Sequence, residues 1–181
     1  MTVSLHPERS DPPKDDSPKK QADQQNSQIA IEEHLVIFTL GNEKYAVDIG
    51  DVWEINTMQK ITHIPRTPHF IEGVINLRGE IIPVMDLRKR LKLFARAYDR
   101  DSRIMVAQSS HNRLGLIVDS VQEVLKIPGD VIMPASELGG LIDEKFVRGI
   151  ARKDEQLVVL FDLQRLLDED EHEAIDMMEM A

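Results

Sequence analysis

The sequence predicts a mainly β protein made of two similar small barrels, and two observations support this fold class. Residues 73–91 recur without a gap as residues 149–167. Short apolar segments separated by tight turns also recur along the chain without long helical patterns, which favours small closed barrels over a parallel sheet. A repeat of this kind indicates two copies of one structural unit.

The two copies agree at packing positions and differ at a turn. Residues 52–55 are echoed by residues 121–124, and the Arg78-Gly79 turn of the first copy is acidic in the second. Each copy is small enough that its own core would be marginal, so we expect the halves to pack against each other. The identical pairs in the longer echo are Gly73 and Gly149, Asp86 and Asp162, Leu87 and Leu163, and Leu91 and Leu167.

Composition divides the chain into a neutral body and two acidic tails. Residues 1–33 are polar and carry a charge of −3, while residues 168–181 carry −7 of the net −10. We predict a disordered tail at residues 1–33, since residues 1–30 hold too few large apolar groups to fold. Residues 34–101 are predicted to form the first barrel and residues 102–167 the second, with strand exchange between them as an alternative. Residues 168–181 are read as an acidic tail or a helix extension.

A β-hairpin is predicted at the start of the body. Residues 34–40 and 44–48 are rich in β-branched and aromatic residues, and Gly41-Asn42 between them is a turn signal. Residues 52–55 continue as strand. The body therefore begins with β structure.

A second hairpin is predicted around Arg78-Gly79. Gly79 is expected to supply a positive φ for this turn. Asp86 follows the hairpin and is predicted to cap a short basic helix, because its carboxylate can accept hydrogen bonds from free helical N–H groups. The predicted segments here are a helical turn from Thr67-Pro68, strands at residues 74–76 and 80–85, and a helix through Lys92.

The second copy repeats this plan. Asp162 is predicted to cap the last short helix, as Asp86 does in the first copy. Beyond it, Ile175 and Met178 form a weak apolar stripe, and seven acidic residues without a basic one favour fraying at least as strongly as a helix. The predicted strands are residues 103–107, 113–118, 147–153 and 156–161, and the helix residues are Leu163, Leu166 and Leu167.

The sequence contains no recognisable catalytic, metal or cofactor motif. There is no cysteine, and the six histidines lack metal-ligand spacing. No nucleotide-binding or nucleophile motif is present. The N-terminus lacks the apolar core of a signal peptide, and no apolar run approaches the roughly 20 residues that span a bilayer. We therefore expect a non-catalytic intracellular protein without membrane insertion.

A basic stretch leaves nucleic-acid binding as an alternative function. The stretch contains Arg88, Lys89, Arg90, Lys92 and Arg96. A solvated helix face is the competing interpretation, because the body is neutral overall and offers few aromatic residues for base stacking. The favoured interpretation is that the protein binds no nucleic acid.

The body resembles the CheW family, the coupling proteins of bacterial chemosensory arrays, from about Leu35 to Leu167. The resemblance is specific because several motifs occur together and in order. These motifs are residues 38–49, residues 52–55, Ile64-Pro65, residues 67–73, Asn76-Leu77-Arg78-Gly79, Pro83 and Asp86-Leu87-Arg88.

The resemblance implies two five-stranded barrels packed side by side, without catalytic activity or cofactors. It implies two partners: the cytoplasmic tip of a chemoreceptor, and the regulatory domain of a CheA-type histidine kinase. The groove between barrels would serve the receptor, and barrel ends would meet the kinase. The expected location is the cytoplasm, at membrane-associated receptor arrays.

The resemblance also assigns site residues. Val52, Glu54, Ile55 and Arg78 are expected to bind the receptor, and a guanidinium suits a receptor carboxylate. Leu138 is expected to bind the kinase. Two further expectations concern structure: Gly73 and Gly79 are assigned to structural turns, and strand alternation makes Trp53 and Ile55 the better core candidates. A solvated turn arginine is the alternative for Arg78.

Overall fold

The computed structural model describes residues 31–108, 112–139 and 144–179. Most of the predicted N-terminal tail therefore lies outside the described residues. The strands are β1 (Glu32–Leu40), β2 (Glu43–Asp48), β3 (Val52–Thr57), β4 (Ile71–Leu77), β5 (Glu80–Asp86), β6 (Arg103–Gln108), β7 (Arg113–Val118), β8 (Ser120–Pro128), β9 (Ile132–Pro134), β10 (Val147–Lys153) and β11 (Gln156–Phe161). The α-helices are α1 (Leu87–Arg90) and α2 (Glu169–Glu179).

The strands form two sheets, each drawing on both halves of the sequence. The six-stranded sheet has the order β8-β1-β2-β11-β10-β9, and the five-stranded sheet has the order β3-β6-β7-β5-β4. A parallel pair joins the halves in each sheet, with Ala46 beside Leu160 and Gly115 beside Val84. The sequence repeat relates Ala46 to Gly115 and Val84 to Leu160, so the two parallel pairs are equivalent. The repeat is thus a structural one.

The mainly β class is confirmed, but the expectation of two closed five-stranded barrels needs correction. One sheet has six strands, and both are open in their hydrogen bonding, with β3 and β4 as the edges of the five-stranded sheet. The described residues show one isolated bridge at the β4 edge, where Thr62 of the β3–β4 connection pairs with Val74. Among the described residues no backbone ladder closes either sheet.

Apolar packing occurs inside each sheet and between the two. One cluster lies within the six-stranded sheet around Leu35 and Leu160, and another lies within the five-stranded sheet around Ile75 and Ile104. The largest cluster combines residues of both sheets, including Phe38. The expectation that the halves support each other agrees with this shared core.

The turns follow the predictions in part. Gly79 has φ 88° and Arg78 has φ 53°, and the acidic pair of the second copy, Asp154 (φ 46°) and Glu155 (φ 65°), adopts the same positive φ without glycine. Gly73 lies inside β4 rather than in a turn, at a register shift against β5. A β-carbon there would lie 2.0 Å from the Thr62 carbonyl oxygen, so close backbone approach explains this glycine.

The predicted helix caps are present, and the C-terminal segment is ordered. Asp86 accepts hydrogen bonds from the N–H groups of Arg88 and Lys89, and Asp162 accepts one from Gln164 at the start of a short 3-10 helix. Of the two alternatives for the C-terminus, the structure has a helix, α2. At the predicted helical turn after Thr67-Pro68 the structure has a single hydrogen-bonded turn, in which the Ile71 N–H donates to the Pro68 carbonyl oxygen at 2.9 Å, and no helix follows it.

Candidate protein-binding surface

Trp53 and Ile55 lie on the solvent-exposed face of strand β3. Trp53 is 56% exposed and Ile55 is 41% exposed, so the prediction that they belong to the core is wrong. Strand β3 lies at a sheet edge, and its register with β6 shifts between Val52 and Glu54. Such a bulge re-aims side chains, and Val52 instead packs against the shared core.

Glu54 and Arg78 form an ion pair across the open side of the five-stranded sheet. Glu54 lies on β3 and Arg78 on the β4–β5 turn, so the pair links the two edge regions. Asn56 also donates to Glu54, at 2.7 Å. Hydrogen bonds from Arg78 and Asn56 hold the pKa of Glu54 below its usual range. Glu54 is therefore a fixed anion that positions the arginine.

Arg78 keeps donors for a partner while it pairs with Glu54. Its side chain is 69% exposed, and one terminal nitrogen makes the bond to Glu54. A guanidinium carries five N–H donors in a planar fork, which matches a carboxylate. Arg78 can thus bridge Glu54 and an incoming acidic side chain.

Trp53 is held by an arginine that sequence reasoning missed. The Arg113 guanidinium lies 3.8 Å from the centre of the Trp53 ring and also pairs with Glu80. The parallel pairing of β5 with β7 brings Arg113 near Glu80, and no local pattern predicts that pairing. Together Trp53, Glu54, Ile55, Arg78, Glu80 and Arg113 form what we call the Arg78 surface, where exposed apolar groups lie among oriented charges.

The second copy has an equivalent, differently charged region. Glu123, the counterpart of Glu54, pairs with Lys153. Val124 and Leu157, the counterparts of Ile55 and Ile81, are both exposed. The residues Glu123, Val124, Lys153 and Leu157 form what we call the Lys153 surface. This surface has a carboxylate and two apolar residues at the repeat positions of Glu54, Ile55 and Ile81. It has acidic residues at the repeat positions of Arg78-Gly79.

The basic stretch offers little free positive charge. Arg88 pairs with Asp119, Lys89 with Glu72, and Arg90 with Glu171. Arg96 pairs with Asp99 and Asp119. Because these cations are used in internal ion pairs, the nucleic-acid alternative is not supported.

Leu138, the expected kinase-binding residue, lies apart from the receptor-binding candidates in the topology. It ends a 3-10 helix, Ala135–Leu138, which follows β9 at the edge of the six-stranded sheet. Its side chain is partly exposed, whereas Ala135 is buried. The structure thus groups Glu54 and Arg78 and separates them from Leu138 in the fold.

The described residues offer neither a cluster of metal ligands nor a helix that could span a membrane. These residues contain no group of three or more His, Asp or Glu side chains arranged to hold a metal ion. Within the same part of the chain no helix is long and apolar enough to cross a membrane.

Comparison with known proteins identifies the family. The CheW-like domain family model matches residues 34–171. The chemotaxis protein CheW of Klebsiella aerogenes is 35% identical over 146 residues, covering 81% of this chain and 88% of that protein. A probable chemotaxis protein CheW of Rhizobium etli is 35% identical over 142 residues, covering 77% of this chain and 90% of that protein.

A solved structure agrees with the sequence comparisons. The fold matches the scaffolding protein TtCheW from Thermoanaerobacter tengcongensis with a TM-score of 0.72 and 42% sequence identity. The match covers 78% of this chain and 96% of that one. Since the family model spans most of the body and these relatives match over most of their own length, the chain belongs to the CheW family of non-catalytic chemotaxis scaffold proteins.

Proposed function

We propose that this protein joins the cytoplasmic tip of a chemoreceptor to the regulatory domain of a CheA-type histidine kinase. Its place would be the cytoplasmic side of membrane-associated receptor arrays. Family membership supports the adaptor role, and the single observation that carries the receptor assignment is the exposed guanidinium of Arg78, which Glu54 orients. An exposed, oriented guanidinium beside apolar side chains suits an acidic and apolar helical tip.

Receptor binding is assigned to Val52, Glu54, Ile55 and Arg78. Glu54 holds Arg78 in place before the partner arrives, which lowers the entropic cost of binding. Ile55 and the neighbouring Trp53 supply apolar area, and aromatic and arginine side chains commonly dominate interface energies. Val52 would act mainly by supporting β3, since it packs against the shared core.

Kinase binding is assigned to the region of Leu138. Its placement at the edge of the six-stranded sheet supports this assignment, because it leaves the Arg78 surface accessible to a second partner. A scaffold must hold both partners at once. Two surfaces in different sheets meet that requirement.

Reconstitution tests the function. Purified kinase, receptor cytoplasmic fragments in an ordered array and this protein would be combined, and kinase autophosphorylation measured. Activity should rise well above that of any two components. Leu138→Arg should lose kinase binding in a pull-down while receptor binding persists. An absence of activation with a cognate receptor and folded protein would refute the proposal.

A further inference from the structure

An open groove of about 530 Å³ lies between α1 and the six-stranded sheet. Its volume falls within the range of ligand-binding clefts. The Tyr45 and Phe161 rings, which stack with centres 5.0 Å apart, and Val159 form an apolar lining. Arg90 and Lys92 also line the groove, so it combines apolar walls with positive charge.

The sequence repeat gives this groove a counterpart that is filled. Aligning the two copies places Leu114 at the position of Tyr45 and Leu167 at the position of Leu91. Leu114 and Leu167 line a site occupied by Ile175 of α2, where only about 10 Å³ remains. Ile175 is 3% exposed. One of two equivalent grooves therefore holds a helix from this chain.

Helix α2 shows which chemistry such a groove accepts. Its Glu171 carboxylate accepts two hydrogen bonds from the Arg90 guanidinium, at 2.7 and 2.8 Å. Asp176 accepts a hydrogen bond from Asn112. Ile175 enters the core between these contacts. An acidic helix with a narrow apolar stripe is thus the occupant of the second-copy groove.

The first copy has no such helix of its own. After Leu91 the chain continues to β6 without another helix in residues 92–102. Phe94, in this connection, is 94% exposed. The groove beside Tyr45 is therefore open in the described structure, although the repeat makes it equivalent to the groove that α2 fills.

We infer that the groove beside Tyr45 is a docking site for an acidic amphipathic α-helix of a partner protein. The filled counterpart supplies the shape argument, since the same scaffold already seats a helix of this kind. Charge complementarity supplies the second argument, because the exposed Lys92 lines the groove and can attract an acidic side chain. An apolar residue of the partner would contact Tyr45 and Val159. This inference adds a surface distinct from those under the proposed function.

The test uses the full chain and a synthetic peptide with the sequence of residues 168–179 as the probe. Binding would be measured by fluorescence anisotropy, and its location by methyl NMR. Saturable binding is expected, with shifts at Val159 and Leu91 and none at Leu114 and Leu167. A peptide of the same composition in scrambled order should bind much more weakly, because it lacks the apolar stripe.

Two substitutions check the location. Lys92→Glu should weaken peptide binding by about fivefold, as expected for reversing one exposed charge. Lys60→Glu, a charge reversal at an exposed position outside the groove lining, is the matched control and should leave binding unchanged. Raising the salt concentration should weaken the wild-type interaction.

Several results would overturn the inference. Shifts confined to Leu114 and Leu167 would mean that the peptide only replaces α2 in its own groove. Equal binding of the scrambled peptide would reduce the site to a charged surface. Binding of decanoate at Val159 without binding of the peptide would assign the groove to small amphiphilic anions. An absence of saturable peptide binding at millimolar concentration would also reject the docking site.

Discussion

In the five-stranded sheet Arg78 reaches Glu54 on β3, and in the six-stranded sheet Lys153 reaches Glu123 on β8. Each pair spans the open side of its own sheet. Both copies therefore use a carboxylate on one strand and a cation from the opposite hairpin. The difference is the position of the cation: Arg78 stands in the turn itself, whereas Lys153 precedes it.

This difference separates structural from binding roles. A feature present in both copies, such as the carboxylate–cation pair, belongs to the shared fold and needs no partner to explain it. A feature present in one copy, such as the exposed guanidinium of Arg78, needs another explanation. We interpret it as a partner contact. Substitutions at matched positions of the two copies test this separation.

The largest effect is expected at the glycine that both copies share. In Gly73→Ala the new methyl group would meet the Thr62 backbone, and the residue has φ 142°. The free energy of unfolding should fall by about 3 kcal/mol or more. Gly149→Ala should cost less, since its nearest backbone oxygen, on Met133, is at 2.5 Å. Urea unfolding of both variants measures this, and a larger loss at Gly149 would contradict it.

A copy-specific ion pair should give the next largest effect. Arg88 and Asp119 are both largely buried and pair through two donors, whereas the repeat places Gln164 and Gly50 at the equivalent positions. Asp119→Asn leaves a guanidinium without its counter-ion and should cost about 3 kcal/mol at neutral pH, measured by urea unfolding. A loss below about 1 kcal/mol would mean that this pair contributes little.

The same pair predicts a pH dependence. Burial raises the pKa of Asp119, but hydrogen bonds from Arg88 and the Gly41 N–H outweigh it and place the pKa below its usual value. The pair therefore stabilises the fold fully above about pH 4 to 5, and the stabilisation is lost as the pH falls through the lowered pKa. Asp119→Asn should flatten the acid side of the stability profile. If the stability of Asp119→Asn fell at low pH as steeply as that of the wild type, this assignment would be contradicted.

Much of the fold could be predicted from the sequence, because local signals were strong. The Gly41-Asn42 turn, alternating strands and the Asp86 cap are local features. The strand exchange between sheets depends on the parallel pairing of β2 with β11, which joins residues far apart in sequence. No periodicity predicts such a pairing, so strand exchange could be named only as an alternative, and the sixth strand of one sheet was missed.

The candidate site was predicted less completely. Glu54 and Arg78 were both singled out, yet their ion pair depends on how the edges of the sheet approach each other. Alternation along β3 misplaced Trp53 and Ile55 in the core, because a bulge and an edge position change which face is covered. Arg113 carried no local signal at all.

The helix that follows only the second copy should have an intermediate effect on stability. Truncation after Leu167 removes Ile175, which is buried, and the Glu171 partner of Arg90. The loss should be about 2 to 3 kcal/mol, close to that of deleting one large core side chain. Thermal melts would measure it. A truncated protein that melts like wild type would mean that α2 is not stably docked.

The turns should show smaller effects on stability, with opposite signs in the two copies. Gly79→Val places a β-branched residue at positive φ and should cost about 1 to 2 kcal/mol. In the second copy Glu155→Gly places a glycine at a positive φ and so removes backbone strain. The free energy of unfolding should rise by up to about 1 kcal/mol. Chemical unfolding of both variants would show this. Equal signs would mean that the two turns are not equivalent.

We interpret Arg78 as a partner contact on a scaffold whose repeated ion pairs belong to the fold. The most direct test of this interpretation compares Arg78→Glu with Lys153→Glu, a matched charge reversal in the other copy. Binding of each variant to receptor fragments would be measured together with its thermal melt. Both substitutions are at exposed or partly exposed positions, and each should change stability by less than about 0.5 kcal/mol.

Arg78→Glu should reduce receptor binding by at least about tenfold, consistent with replacing an attractive charge pair by a repulsive one at an interface. Lys153→Glu should leave receptor binding unchanged. Equal receptor affinities for the two folded variants would contradict the claim that Arg78 binds the receptor.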